Sequence, residues 1–214
     1  MASPRNTGLR RERVTVIIGL CGEKESGKDT VGAYLVKEHG FERKAFFDAP
    51  KKAVAIMFGI PFSEVNKLRD DTDVLVGIGK LGEPEYEQWI QYIGYKALTM
   101  RALLQQFGDA LKEAFGPNFI VDQTLPVPGF YPGRAIVVTD VRFREEAERI
   151  IHLGGRVIKI ERDNPGASDE PPHRSEVIDF HHLLWGTIDN NGGLEDLYRQ
   201  VEDVLAKTPL ESVC

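Results

Sequence analysis

An apolar, β-branched run from Val14 to Leu20 leads into Gly22-x-x-x-x-Gly27-Lys28-Asp29-Thr30 and then into a helix-like segment. No other feature constrains the fold as much, because strand, glycine loop and helix in that order are the setting of a Walker A phosphate loop. The spacing has a chemical reason. Glycine at 22 and 27 lets the backbone turn tightly, so that successive N–H groups face phosphate oxygens. The helix that follows adds the positive end of its dipole. Lys28 reaches the β- and γ-phosphates, and a hydroxyl serves a magnesium ion. Here Asp29 follows the lysine and Thr30 carries the hydroxyl one place later. The expected contacts to ATP are Gly22, Lys24, Ser26, Gly27, Lys28, Asp29 and Thr30. A glycine-rich turn that binds nothing is the alternative, and the flanking strand and helix count against it.

The chain of 214 residues suits one α/β domain with insertions, and 42% hydrophobic content is enough for a sizeable core. A net charge of -6 argues against broad nucleic-acid binding, which leaves a basic footprint. Two cysteines, Cys21 and Cys214, cannot make a disulfide framework or a zinc site, and they fit a reducing cytoplasm. The polar, basic start MASPRNTGLRRER has no apolar core of a signal peptide and reads as a flexible tail over 1–13. No apolar run approaches the ~20 residues of a membrane span.

Along the chain, strands and helices alternate. The pattern predicts a strand over 14–20, a helix over 28–39, a short strand and its exit over 41–47 and a helix over 49–58 with Pro50 in its first turn. Ser63 is the expected cap of a helix over 64–69. Residues 70–95 are irregular and read either as an insertion over a substrate cleft or as a plain surface loop. A helix is expected over 99–115, with Leu103, Leu104, Phe107 and Leu111 on one face, and a helical or extended piece over 118–125. A turn-rich loop spans 126–133. In RAIVVTDVRF a β-branched run ending in Asp140 reads as a buried parallel strand, followed by a helix over 145–153, a strand over 156–161, a strand around 185–188 and a last helix over 194–206. Such alternation implies a parallel sheet covered on both faces.

Asp140 ends the apolar run Ile136-Val137-Val138-Thr139, which is the Walker B arrangement, with the carboxylate holding magnesium alongside Thr30. A helix cap is the other reading of Asp140. Arg142 lies two residues on and points the same way if the strand continues. Its fork suits a phosphate clamp, and an ion pair with Glu145 or Glu146 is the alternative. The loop 162–176 carries Arg162, His173 and Arg174 and reads as a lid that closes over a transferring phosphoryl group, against a solvated loop of self-paired charges. Acceptor candidates are Lys44, Lys51 and Arg69, with Arg43, Lys52 and Arg101 as further cations and Gln105 and Gln106 as amides able to read a base edge. Asn190-Asn191-Gly192 reads either as a turn whose backbone groups approach the adenine, with Asn191 the expected contact, or as a turn in its own right.

Taken in order, these motifs resemble the phage-type deoxynucleoside monophosphate kinases, within the P-loop nucleoside monophosphate kinases. The resemblance runs over roughly residues 14–206. Gly27-Lys28-Asp29-Thr30 matches the family's GKDT loop, and Phe47-Asp48-Ala49-Pro50-Lys51-Lys52 looks like its FADPLK segment, with the acid shifted by one. Leu103-Leu104-Gln105-Gln106-Phe107-Gly108 is similar to its LLQ-x-x-G helix. Asp140-Val141-Arg142-Phe143 with Glu146-Ala147 is similar to DVRF-x-x-EA, Arg162 with His173-x-Ser175-Glu176 to its lid, and Asn190-Asn191-Gly192 to its N-x-G turn.

The resemblance implies a three-layer α/β/α P-loop fold with a lid and a helical acceptor-binding insertion. It implies one kinase domain over 14–206, acceptor binding about 42–125, a lid about 162–177 and a tail over 207–214. The implied reaction moves the γ-phosphoryl of ATP, with magnesium, to a deoxynucleoside 5′-monophosphate. Lys28, Asp140, Arg142, Arg162 and Arg174 would be catalytic, and Lys44, Lys51, Arg69, Gln105 and Arg142 would bind the acceptor. A homodimer in the cytoplasm, the host's if phage-encoded, is a further expectation. Another P-loop small-molecule kinase, such as one acting on dephospho-coenzyme A, and a non-catalytic nucleotide-binding regulator are the alternatives. The guanine-reading N-K-x-D of a GTPase is missing, since Asn66-Lys67-Leu68 is followed by Arg69.

Overall fold

The computed structural model describes residues 15–67, 74–75, 79–80, 99–125, 133–163 and 179–207. Arg69, His173, Arg174, Ser175, Glu176, nearly all of 70–95, all of 164–177 and most of the loop 126–133 lie outside the described residues. The chain divides into two compact units, one of Met1–Lys44 with Pro126–Cys214 and one of Ala45–Leu125.

The first unit is built on strands β1 (Val16–Cys21) and β2 (Glu42–Lys44), with helix α1 (Lys28–His39) between them. In the second unit come α2 (Asp48–Met57), α3 (Phe62–Val65), a two-stranded hairpin of β3 (Val74–Leu75) and β4 (Gly79–Lys80), α4 (Met100–Phe115) and α5 (Phe119–Thr124). The first unit resumes with β5 (Ala135–Val138), α6 (Arg144–His152), β6 (Arg156–Glu161), a 3-10 turn at His181–Leu183, β7 (Gly186–Asp189) and α7 (Leu194–Ala206).

β2, β5, β1, β6 and β7 lie side by side in that order, every neighbouring pair parallel. Ile17 pairs with Ile136, Leu20 with Ile158 and Ile160 with Ile188. The central strand β1 is buried along its whole length, which is why VIIGLC reads as continuous apolar sequence rather than as alternation. One face of the sheet presents Val16, Ile18, Leu20, Ala135, Val137, Ile158 and Ile160. These form one core with Val31 and Leu35 of α1 and Leu197, Val201 and Leu205 of α7. α6 lies on the other face, where a Cβ on Gly19 would stand 2.5 Å from Ile150 Cδ1. A side chain at 19 would lift that helix off the strand. The result is the three-layer α/β/α arrangement that the alternating pattern implies.

The second unit has its own small core of Val54, Ala55, Val65, Met100 and Leu104, with Phe47 and Phe107 packed against it. Gly108 admits the Phe47 ring, 2.9 Å from where a Cβ would be. Thr99 caps α4 by accepting the Ala102 N–H at 3.1 Å.

Two sequence expectations change. The cap position of α3 is Pro61, not Ser63, which sits inside the first turn. The strand expected to end in Asp140 ends at Val138. Within 41–47 the strand is Glu42–Lys44, and the remaining residues are its exit. No helix among the described residues is long and apolar enough to cross a membrane.

Candidate active site

Because all five strands are parallel, their carboxyl ends share one edge of the sheet. There the loop after β1, the segment after β5, Arg162 after β6 and the turn after β7 come together, which is where open α/β sheets bind ligands. The loop after β1 is wound by three residues with positive φ: Gly22 (144°), Glu25 (62°) and Gly27 (104°). Glu25 is the exception among them in carrying a side chain, and such backbone strain concentrates at functional loops. Gly22 is also sterically required, since a Cβ there would stand 2.3 Å from Ile160 O.

Lys28 opens α1 and folds back over the loop. Its Nζ donates to Gly22 O at 2.9 Å, to Glu23 O, and to Ser26 Oγ at 3.4 Å. Ser26 is buried, Lys24 and Asp29 are exposed, and Lys28 and Thr30 are half-buried. Lys28, Asp29 and Thr30 line a cleft of about 640 Å3 together with Glu25, Gly27, Arg162, Asn190, Gly192, Gly193, Leu194 and Leu197.

Asp140 lies just past β5. Thr139 N–H donates to Lys44 O at 3.1 Å and Val141 N–H to Leu20 O at 3.2 Å, so the chain is anchored on both sides of Asp140. Thr139 is buried, and its Cγ2 lies 2.6 Å from where a Gly32 Cβ would be, which sets the end of β5 against α1. The cap position of α6 is Phe143, so Asp140 does not cap that helix. Glu146 does the capping from within, accepting the N–H of Arg142 at 2.7 Å and of Phe143 at 3.0 Å. Since β5 has ended, strand alternation does not set the direction of Arg142.

Asn190, rather than Asn191, lines the cleft. Asn191 braces the turn instead: its Nδ2 donates to Asp189 Oδ1 at 2.7 Å, and its Oδ1 accepts the Asp163 N–H at 2.8 Å. Lys44 is in β2, 3.6 Å from Glu42, while Lys51 is on α2 and Gln105 is exposed on α4. The structure therefore groups Lys28, Thr30 and Arg162 in one cleft, and puts Asp140 and Arg142 on the segment after β5.

Over 209 residues the chain is 30% identical to a protein of Acanthamoeba polyphaga mimivirus described as "Putative deoxynucleotide monophosphate kinase", spanning 87% of this chain and 94% of that one. The chain belongs to the deoxynucleotide monophosphate kinase family. It is a phosphotransferase. No family model matches this kinase. Among solved structures it is similar to shikimate kinase from Aquifex aeolicus, at 13% identity and a TM-score of 0.42 over 92% of this chain and 99% of that one. It is also similar to TT1252 from Thermus thermophilus, at 17% identity and a TM-score of 0.41 over 92% and 99%.

One feature of this kinase escaped the sequence reading: the Asn190 side chain reaches Ser26 O at 2.8 Å. The turn was expected to approach the nucleotide, but nothing in the sequence tells that its first asparagine holds the loop after β1. The Cys21 thiol, fully buried at the base of the loop, is pushed up to about 12 by burial, against the pull of Lys159 and Lys28. It is no nucleophile at neutral pH.

Proposed function

We propose that this kinase transfers the γ-phosphoryl group of ATP to deoxynucleoside 5′-monophosphates, releasing ADP and the diphosphate. The observation that carries the reading is the cleft shared by Lys28, Thr30, Arg162 and the Asn190–Gly193 turn. Its floor is a positive-φ loop over which a lysine is already folded.

The residues present fit a nucleoside triphosphate. Lys28 Nζ rests on oxygen acceptors of its own loop, and phosphate oxygens are stronger acceptors of the same kind. They fit magnesium too, which takes one or two carboxylates, phosphate oxygens and waters rather than a protein cage. Thr30 and Asp140 would hold it. When bound, that ion neutralises charge on the phosphates.

The chain's own work is positioning and charge neutralisation. The acceptor phosphate is already an anion and needs no strong base. Lys28 and the 22–30 N–H groups, with Lys24, Ser26 and Asp29 in the same loop, hold the donor. Arg162, and Arg142 after β5, supply positive charge to the moving phosphoryl group, with Arg174 as a further donor. Lys44, Lys51, Arg69, Gln105 and Arg142 serve the acceptor. The viral relative supports a setting in host cytoplasm.

The test is coupled ADP release with ATP, magnesium and each of dAMP, dGMP, dCMP and dTMP, run beside dephospho-coenzyme A. Turnover with one or more deoxynucleotides is expected. Turnover with dephospho-coenzyme A alone, or ATP binding with no turnover at all, would overturn the assignment.

A further inference from the structure

Asn190 stands at the exit of β7, its N–H donating to Glu161 O at 2.7 Å. Its Nδ2 donates to Ser26 O at 2.8 Å, across 164 positions of sequence. The approach is close, since a Cβ on Gly27 would stand 2.3 Å from that Nδ2. The geometric consequence follows from the peptide group. A trans peptide is planar, with its C=O and N–H pointing in opposite directions. Holding Ser26 O on Asn190 therefore fixes the direction of the Gly27 N–H, which faces away from Asn190. Among the described residues that N–H donates to no atom.

We infer that Asn190 is a positioning residue of the phosphate loop: it locks the Ser26–Gly27 peptide so that the Gly27 N–H is preset for a phosphate oxygen. The inference rests on reading residues 22–30 as the ATP site. The loop needs an outside hold, because a backbone at positive φ with glycines at 22 and 27 reorients easily. Lys28 also ties the loop, but any donor its Nζ turns toward a phosphate leaves Gly22 O or Glu23 O. The Asn190 bond lies on the other side of the peptide and persists through that exchange. Presetting a donor removes the ordering cost that binding would otherwise carry.

Two variants test this. Asn190→Ala removes the donor, and Asn190→Asp keeps the size and shape but sets a carboxylate against Ser26 O. Each is titrated with ATP and magnesium, its thermal midpoint is read with and without ATP, and KM is measured for ATP and for the acceptor. The ATP dissociation constant should rise about fivefold to tenfold in Asn190→Ala, the size of one neutral hydrogen bond, and further in Asn190→Asp. The ATP-induced rise of the midpoint should shrink, and KM for the acceptor should stay within twofold. A merely structural contact would lower the ATP-free midpoint and leave the ATP affinity alone. Equal ATP affinity in wild type and both variants overturns the inference by itself. A wild type that binds no ATP overturns it together with the functional reading beneath it.

Discussion

Glu146 accepts the backbone N–H of Arg142 at 2.7 Å, and the same Oε2 accepts that of Phe143 at 3.0 Å. The carboxylate is nearly buried, at 7% exposure, and closes the first turn of α6 where the cap position itself carries only a phenylalanine. One side chain therefore both starts a helix and fixes the backbone that carries Arg142. Glu146→Ala should cost about 2 kcal/mol, the sum expected for a lost cap with a charged acceptor, read as a lower urea midpoint at unchanged slope. Glu146→Gln keeps an acceptor oxygen and should recover more than half of the loss. Equal stability of wild type and Glu146→Ala would show that the bonds contribute nothing.

Lys28→Ala should lower kcat by about 10²–10³-fold, the usual effect of removing one preset donor from a developing charge. The fold should persist, because the Nζ contacts lie on the loop surface and not in the core. Circular dichroism and turnover in one preparation decide it: full turnover in a folded variant would remove the phosphate loop from the mechanism.

Gly19→Ala should destabilise the sheet by about 1–3 kcal/mol, because the new Cβ meets Ile150 Cδ1 at 2.5 Å and Val141 Cγ2 at 3.0 Å. Ile150→Val deletes the first of these atoms. The double variant should therefore be more stable than the two single losses added together, and a double-mutant cycle by urea unfolding measures the difference. Strict additivity would mean that the two side chains do not meet.

The Cys21 thiol has a folded value of about 12 against an ordinary 9.0. The neutral form is the one the fold favours. Its contribution to stability is complete below about pH 9 and is lost as pH rises toward 12, where the unfolded chain ionises first. Cys21→Ala should lose stability less steeply than wild type between pH 9 and 11. In a Cys214→Ser background the remaining thiol should resist iodoacetamide at pH 8 until urea unfolds the chain; rapid native labelling would contradict its burial.

What could be read in the sequence was local. Lys28–His39, Arg156–Glu161 and Leu194–Ala206 are the helix, strand and helix expected, because each is bounded by its own glycines or charges. The strand expected to end in Asp140 stops two residues earlier, at Val138, and the hold of Glu146 on the Arg142 and Phe143 N–H groups is a reach back along the chain that propensity does not register. Ser63 looked like a cap, but Pro61 takes the cap position with φ at -57° and ψ at 134°, which places Ser63 inside the turn. Lys28 and Thr30 were legible as a motif. The hold of Asn190 on Ser26 was not, since it exists only once β1, β6 and β7 lie side by side.

Parallel strands can be joined by a dozen or so residues. Between β2 and β5, which pair through Glu42–Ile136 and Lys44–Val138, the chain instead interposes the whole of 45–134. Every member of the core cluster that unites β1, β5, β6, α1 and α7 lies outside that stretch. Sequence drift between 45 and 125 is then decoupled from the cluster that holds the phosphate loop in place. The two regions can diverge at different rates, and sequence comparison across distant kin should show the 16–44 and 135–206 blocks changing slowly around a rapidly turning-over middle.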